Sequence, residues 1–566
     1  MSQDLNWFEQ FSKTAEFAFL KRRPIAYFCA EFALSDTIAI FAGGLGILAG
    51  DTVREAVDRN IPFVAVGLYY YEGYVCQEFN EKGEIIERSI FSKPQDVGLM
   101  PVVDAGKNRV IIELPIADRK VLVQAWKWQK GSVSVYLLDT NVPENNPKDK
   151  EITNRLYDID KETRLKQEMI LGIGGVKLLE KLGIHPSVYH MNEGHSAMLV
   201  LDLIRHEMEE RKIDFADAKY RMSQHVVFTN HTLVSAGDEF FSNELASALL
   251  SSYANELSVP IKDIIELGLI QESSIFSMTM LSLRLASRVN AVSRLHQRKA
   301  KEIWTDHPMD QVTNGIHIPT WDSLHSKDTM WEDHLENKRK LLSEVKKISG
   351  VVLGEDELLL GWARRMVAYK RPLVLFEDLA RFKSIATKSD RPVRVIIAGK
   401  APPGDTIGEE LIQRLKEITT KELAGIVVSL PYYDIEMAKL LVSGCDVWLN
   451  TPVVGFEACG TSGMKAALNG VLPATTRDGW IDEVELFGIG WILDSDTIHK
   501  NILDILESQI VPMYYTKDEK GIPQQWLLHM RNGRELIENQ FSATKMLRNY
   551  IETMYMRVLE FVRQGK

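Results

Sequence analysis

The chain has 566 residues, 45% of them hydrophobic and 26% charged, which is long enough for more than one domain with its own core. Its 67 basic and 78 acidic residues give a formal net charge of −11, which argues against nucleic acid or an acidic membrane surface as the main partner. Four scattered cysteines form no CxxC pair, the first residues lack a signal-peptide core, and no apolar run could cross a bilayer, so a cytoplasmic protein with free thiols is expected.

In chain order, strands are expected at Ile25–Phe32, Pro62–Tyr70, Ser132–Leu138, Ser187–Met191, His225–Thr229 and Arg288–Val292. A second series follows at Leu358–Ala363, Val393–Ala398, Gly425–Leu430 and Asp446–Asn450. Helical patterns fill many gaps, for example Lys161–Leu182 and Pro372–Ser384. Strands that are apolar on both faces and alternate with helices read as a parallel sheet covered on both sides. Two such series predict an α/β protein with two doubly wound domains. The turn and proline of QVTNGIHIPTW, Gln311–Trp321, mark the boundary. The units expected are 1–313, 314–541 and a terminal helix within 542–566. Ligands of such sheets sit outside the carboxyl ends of the strands, so the cleft between the domains is the expected site.

Four stretches carry residues suited to chemistry. In IFAGGLGILAGD, Gly43, Gly44 and Gly46 precede a helical run. Glycines allow close backbone approach and the helix start offers free N–H groups to a phosphate, although a tight turn packed on a sheet would look the same. YHMNEGHSA and FTNHTLVSAGDEF place Asn192, Glu193, His195, His231 and Asp238 after strands, where sugar hydroxyls could be bonded; their spacing fits no zinc motif, and no metal is expected. GWARRMVAYKRP sets Arg364, Arg365, Lys370 and Arg371 at a strand end beside Tyr369, where an anion, more than one phosphate, would relieve their repulsion; a solvated basic loop is the plain alternative, and the strand-end placement favours the anion site. FEACGTSGMKAALNG runs from Glu457 through Gly460, Thr461, Ser462 and Gly463 to Lys465. A backbone cradle for phosphate beside a buried amine able to form a Schiff base fits pyridoxal 5′-phosphate, which has both groups. The plain alternative for Lys465 is a surface lysine on an amphipathic helix.

Jointly, AGGLGILAGD, HMNEGHSA, FTNHTLVSAG, VTNGIHIPTW, GWARRMVAYKRP, IIAGKAPPGD and EACGTSGMKAALNGV resemble the α-glucan phosphorylase family, from about Tyr27 to about Glu483. The resemblance implies two Rossmann-like domains facing across a cleft, the GT-B arrangement, with the last helix returning to the first domain. It implies reversible, configuration-retaining phosphorolysis of an α-1,4-glucan or maltodextrin by inorganic phosphate, giving α-glucose 1-phosphate. By the same resemblance Lys465 carries pyridoxal phosphate, whose 5′-phosphate helps to move a proton. Gly460, Thr461 and Ser462 cradle that phosphate, Arg364 takes the place of a family lysine near it, and Tyr433 contacts the pyridoxal ring. Arg365 and Lys370 bind substrate phosphate, and the Gly43–Gly44 turn approaches it. Glu457 lies beside the sugar, His231 and Asn314 contact it, and Tyr369 lies near.

This sequence departs from the family pattern at Cys459, where serine is common, at Ser462, where glycine is common, and at Glu193, which replaces aspartate. No match to the phosphorylation segment of the longer animal enzymes is found. Family members are often homodimers. The rival expectations are a nucleotide-sugar-dependent glucan transferase, which needs no lysine at position 465, and a non-catalytic glycan-binding relative.

Overall fold

A computed structural model describes residues 2–74, 76–79, 85–233, 239–270, 273–401, 405–430 and 433–564. Two sheets organise it. The first runs Asp310–Gln311, Arg288–Ala291, Val226–Thr229, Val188–Asn192, Ile25–Phe28, Phe63–Leu68 and Val133–Asp139, with every neighbour parallel. Arg119–Lys130 extends it antiparallel to Val133–Asp139 and also pairs with Ile112–Ile116. The second runs Val427–Leu430, Val393–Ala398, Leu358–Ala363, Val447–Asn450, Leu472–Thr476 and Trp491–Leu493, again all parallel. Every residue of Ile25–Phe28, Phe63–Leu68 and Leu358–Ala363 is buried, as strands covered by helices on both faces require. No helix among the described residues is long and apolar enough to cross a membrane.

Two expected elements differ in detail, and two antiparallel strands are additional to those expected. The strand at Ile25 ends at Phe28, because Phe32 N then bonds Ile40 O (3.2 Å) and Ala33 N bonds Gly46 O (2.9 Å). Those bonds bend residues 29–34 across the start of helix Gly44–Asp58. The expected helix at Pro372–Ser384 is a 3₁₀ turn, Val374–Phe376, and then helix Leu379–Ala386, because Asp378 caps the latter by accepting from Arg381 N. The antiparallel strands Ile112–Ile116 and Arg119–Lys130 went unread. The second of them ends in a turn at Gly131 with φ of +58°, a glycine signal for a hairpin.

The last helical run, from Ala543 to Arg563, has its apolar face in the core of the first sheet, not the second. Tyr555 Oη lies 2.7 Å from His190 Nδ1, and Tyr550 Oη 3.1 Å from Thr229 Oγ1. The second sheet is aligned by a buried acid at the foot of its strands. Asp446 accepts from Leu359 N (2.7 Å), Lys338 Nζ (2.7 Å) and His334 Nε2 (2.9 Å). Burial pushes its pKa up, but Lys338 and His334 more than offset this and hold it below the usual range. Asp446→Ala leaves the Lys338 ammonium buried without its counter-charge, so a loss of about 3–5 kcal/mol in urea unfolding is expected. A loss under about 1 kcal/mol would mean that the pair holds nothing together.

Candidate active site

The two sheets meet at the carboxyl ends of their strands, where Ser293 Oγ donates to Ala458 O (2.6 Å) and Arg294 N to Glu483 Oε1 (2.9 Å). Leu358–Ala363 is an inner strand of the second sheet and delivers Arg364 to Arg371 into this junction. The loop is fixed by its own last residue. Arg371 has φ of +50° and donates to Thr451 O (2.8 Å), Pro452 O (2.5 Å) and Ser495 O (2.9 Å). Thr451 Oγ1 in turn donates to Lys370 O (2.9 Å). Arg371 therefore shapes the loop and does not add to the anion site.

With the loop so held, Lys370 Nζ lies 2.5 Å and Arg364 Nη1 3.3 Å from the same oxygen, Glu457 Oε2. Arg364 Nη2 donates to Ser462 Oγ (3.2 Å), and its Nε is buried without a partner. Arg365 is exposed but still acts on Glu457 through space. Burial alone would raise the Glu457 pKa; Lys370 and Arg364 overcome that and hold it below the usual carboxylate range. Burial brings Lys370 down to about 8, against the pull of Glu457. The cluster thus keeps more cation than anion in a dry place, which is the condition for holding a phosphate. Asp478 sets the height of Glu457. Its Oδ2 accepts from Glu457 N and Gly455 N, both at 3.0 Å, and burial pushes its own pKa up to about 6. Gly479 has φ of +57°, and a Cβ there would stand 2.2 Å from Cys459 O, so only glycine lets the Asp478 turn close on this loop.

Gly460, at φ of +83°, turns the chain into helix Thr461–Leu468. The first N–H groups of that helix have no intrahelical acceptor. Lys465 sits on the same face as Thr461 and Ser462. It is buried, with Nζ 4.0 Å from the Trp321 ring centre, and no carboxylate of the described residues pairs with it. Burial lowers its pKa to about 8, with Asp51 opposing and Arg54 assisting. Asp51 is spoken for: it accepts from Trp321 Nε1 (2.9 Å) and His317 N (3.3 Å). Asn469 fixes the pair by donating to both Trp321 O (2.8 Å) and Lys465 O (2.9 Å).

Across the junction, Gly43 caps helix Gly44–Asp58, and a Cβ built on Gly43 or Gly44 meets nothing within 4 Å. Their loop therefore presents an open face. His231 Nε2 and Asn192 Oδ1 are 2.7 Å apart, and His231 N donates to Glu193 Oε2 (3.0 Å). Burial drives the His231 pKa to about 3, so the ring is neutral at physiological pH. Asn314 is buried with Oδ1 unpartnered. The Tyr369 and Phe456 rings are 5.9 Å apart, and Lys370 Nζ is 5.0 Å from the Tyr369 ring. Tyr433 is pushed up to about 12 by burial, with Arg364 opposing. His195 belongs to another cluster, 3.7 Å from Glu239 Oε1, and Asp238 lies outside the described residues.

The tertiary structure thus joins Arg364, Lys370, Glu457 and Ser462 by direct contact, and sets Lys465 against the helix that Gly43 caps. His231 and Asn192 bond to each other and not to Glu457. Sequence reasoning missed Asp478, Trp321 and Asp51. The Asp478–Gly479 turn dipeptide just after strand Leu472–Thr476 was the available signal for the first; Asp51 and Trp321 close the IFAGGLGILAGD and QVTNGIHIPTW stretches, but no local pattern gives either a role.

Residues 319–488 match the family described as carbohydrate phosphorylase. The chain is 35% identical to the maltodextrin phosphorylase of Thermococcus litoralis, over 95% of this chain and 71% of that one. It is 33% identical to the glycogen phosphorylase of Aquifex aeolicus, over 95% of this chain and 87% of that one. An uncharacterized protein of Methanocaldococcus jannaschii is 31% identical and is matched along 100% of its length.

Proposed function

Because this chain belongs to the carbohydrate phosphorylase family, we infer that it is an α-glucan phosphorylase, a hexosyl-transferring enzyme that uses inorganic phosphate to release α-glucose 1-phosphate from the non-reducing end of an α-1,4-glucan. The observation that carries the reading is the buried Lys370–Glu457–Arg364 cluster beside the helix bearing Lys465. In this reading the first unit, 1–313, brings the glucan side of the site, 314–541 the cofactor and phosphate side, and the helix within 542–566 ties back to the first.

The residues present fit pyridoxal 5′-phosphate. Lys465 offers a dry amine with a depressed pKa and no carboxylate partner among the described residues, and the helix start at Gly460, Thr461 and Ser462 offers free N–H groups. The unpartnered Arg364 Nε adds a donor nearby. Lys465 would hold the aldehyde end, Gly460 to Ser462 and Arg364 the phosphate, and Tyr433 the ring. When bound, the cofactor supplies a second phosphate that exchanges a proton with the substrate phosphate.

The chain's own groups do the rest. Lys370 and Arg365 hold the substrate phosphate, with the Gly43–Gly44 turn and the free N–H groups at the start of helix Gly44–Asp58 on its other side. Two phosphates side by side repel, and the surplus of cations around Glu457 offsets that repulsion. Glu457, kept ionised by Lys370 and Arg364, lies where positive charge develops at the anomeric carbon and stabilises it. Neutral His231, steered by Asn192, bonds a sugar hydroxyl, and Asn314 Oδ1 accepts from another. Tyr369 borders the sugar. Burial of Lys465 and Lys370, with the Glu457 side chain only 13% exposed, keeps water from competing as the acceptor.

The test is ³¹P NMR of the protein, loaded with pyridoxal phosphate, incubated with maltodextrin and inorganic phosphate. Growth of an α-glucose 1-phosphate signal is expected; silence with phosphate but transfer from a nucleotide sugar would overturn the reading. Glu457→Gln is expected to lower kcat by about a hundredfold or more while the pyridoxal phosphate content stays that of the parent. Unchanged turnover would take Glu457 out of the site.

A further inference from the structure

We propose that Glu31 is a positioning residue that holds the glycine loop in the shape that receives the substrate phosphate. Glu31 sits in the segment that bends away after Phe28 and is buried, with 3% of its surface exposed. Its Oε2 accepts from Ala42 N (2.6 Å) and Gly43 N (3.2 Å). Its Oε1 accepts from Tyr157 Oη (2.7 Å), and the Tyr157 ring is covered by the Arg164 guanidinium at 4.7 Å. One carboxylate thus ties together the two N–H groups that precede helix Gly44–Asp58 and leaves the N–H groups of the helix start itself unclaimed.

Two further contacts show that the fold is arranged around this anchor. A Cβ at Gly46 would stand 2.5 Å from Phe41 Cβ and 2.7 Å from Glu31 Oε2, so the glycine at 46 leaves room for both the loop and the carboxylate. Arg54 donates to Ala33 O (2.7 Å) and Leu34 O (3.2 Å), which pins the segment carrying Glu31 onto the same helix. Gly43 and Gly44 have nothing packed where their side chains would be, so at these two positions the loop is held through its backbone. A charged acceptor bonded to two backbone donors is the strong kind of hydrogen-bond pair. Its negative charge also sits behind the loop, which leaves the N–H groups of the front face to an incoming anion.

The inference rests on the phosphorylase reading for which anion the loop meets. The test therefore has two readouts in the holoenzyme. Amide hydrogen exchange over residues 40–47 reports the anchor itself, independent of turnover: faster exchange in Glu31→Ala is expected, and exchange equal to the parent overturns the proposal. Steady-state phosphorolysis reports the consequence. Glu31→Ala is expected to raise KM for inorganic phosphate about tenfold or more with KM for maltodextrin little changed. Glu31→Gln, which keeps an acceptor oxygen, recovers part of the loss, and Tyr157→Phe and Gly46→Ala reproduce it in milder and similar degree. A lower KM for phosphate in Glu31→Ala would make Glu31 a competing anion and overturn the proposal, as would equal changes in both KM values without recovery by glutamine. If the parent releases no glucose 1-phosphate, the phosphorylase reading falls and hydrogen exchange alone decides the anchor.

Discussion

Lys465→Ala is expected to abolish covalent attachment of pyridoxal phosphate and to lower phosphorolysis by about three orders of magnitude or more, because attachment and the cofactor's phosphate are lost together. The amine has no carboxylate partner among the described residues and lies over the Trp321 ring, so removing it breaks no ion pair there and the variant should still fold. Its pKa adds a second signature. Lowered by burial to about 8, the amine is a far better nucleophile at neutral pH than an ordinary lysine, whose pKa is about 10.4. The neutral form is the one that adds to the aldehyde, and it gains population as pH rises. Cofactor attachment to the apoprotein should therefore speed up through pH 8 and level off above it. Borohydride reduction followed by peptide mass analysis checks both points. An adduct on Lys465 alone, with that pH profile, is expected; undiminished phosphorolysis in Lys465→Ala, or an adduct elsewhere, would remove the residue from its role.

Lys370→Ala is expected to lower kcat/KM for inorganic phosphate by about a hundredfold or more, with the maltodextrin KM changed far less. The reason is double. The variant lacks one of the cations that would hold the substrate phosphate, and Glu457 loses its closest partner, the ammonium 2.5 Å away. Of the groups that hold the Glu457 pKa down, Lys370 is the largest, so without it that pKa rises. Protonation then reaches Glu457 at a higher pH, and the acidic limb of the pH–rate profile moves upward. Steady-state kinetics with phosphate and maltodextrin varied separately checks the split, and the same assay across pH checks the limb. An unchanged phosphate dependence would count against Lys370 as a phosphate ligand.

The alternation of buried strands with helices was legible residue by residue, since a strand covered on both faces must be apolar throughout: Leu358–Ala363 and Val393–Ala398 were read with the bounds they have. The strands that went unread are of two kinds. Arg119–Lys130 has exposed ends and a polar face, as an antiparallel edge allows. Leu472–Thr476 and Trp491–Leu493 are only a few residues long, and one contains Pro473. The reach of the terminal helix was not local either: its aromatic residues bond to His190 and Thr229, more than three hundred positions earlier.

The same division runs through the site. The chemical types were readable along the chain: a strand end crowded with cations, a glycine turn before a helix, a lysine just inside another helix, and a carboxylate a few residues ahead of it. Order along the chain was enough for these, because backbone geometry ties a strand end to the loop that follows it and a helix start to its free N–H groups. Which charges meet follows from the packing of distant segments. That packing turned Arg371 back onto the carbonyls at 451, 452 and 495 while sending Arg364 and Lys370 to one oxygen of Glu457. It placed Lys465 beside Trp321 and Asp51, and it seated Glu31 behind the glycine loop. Electrostatic strength depends on distance and burial, and neither is a property of any segment alone; both arise when distant segments exclude water together.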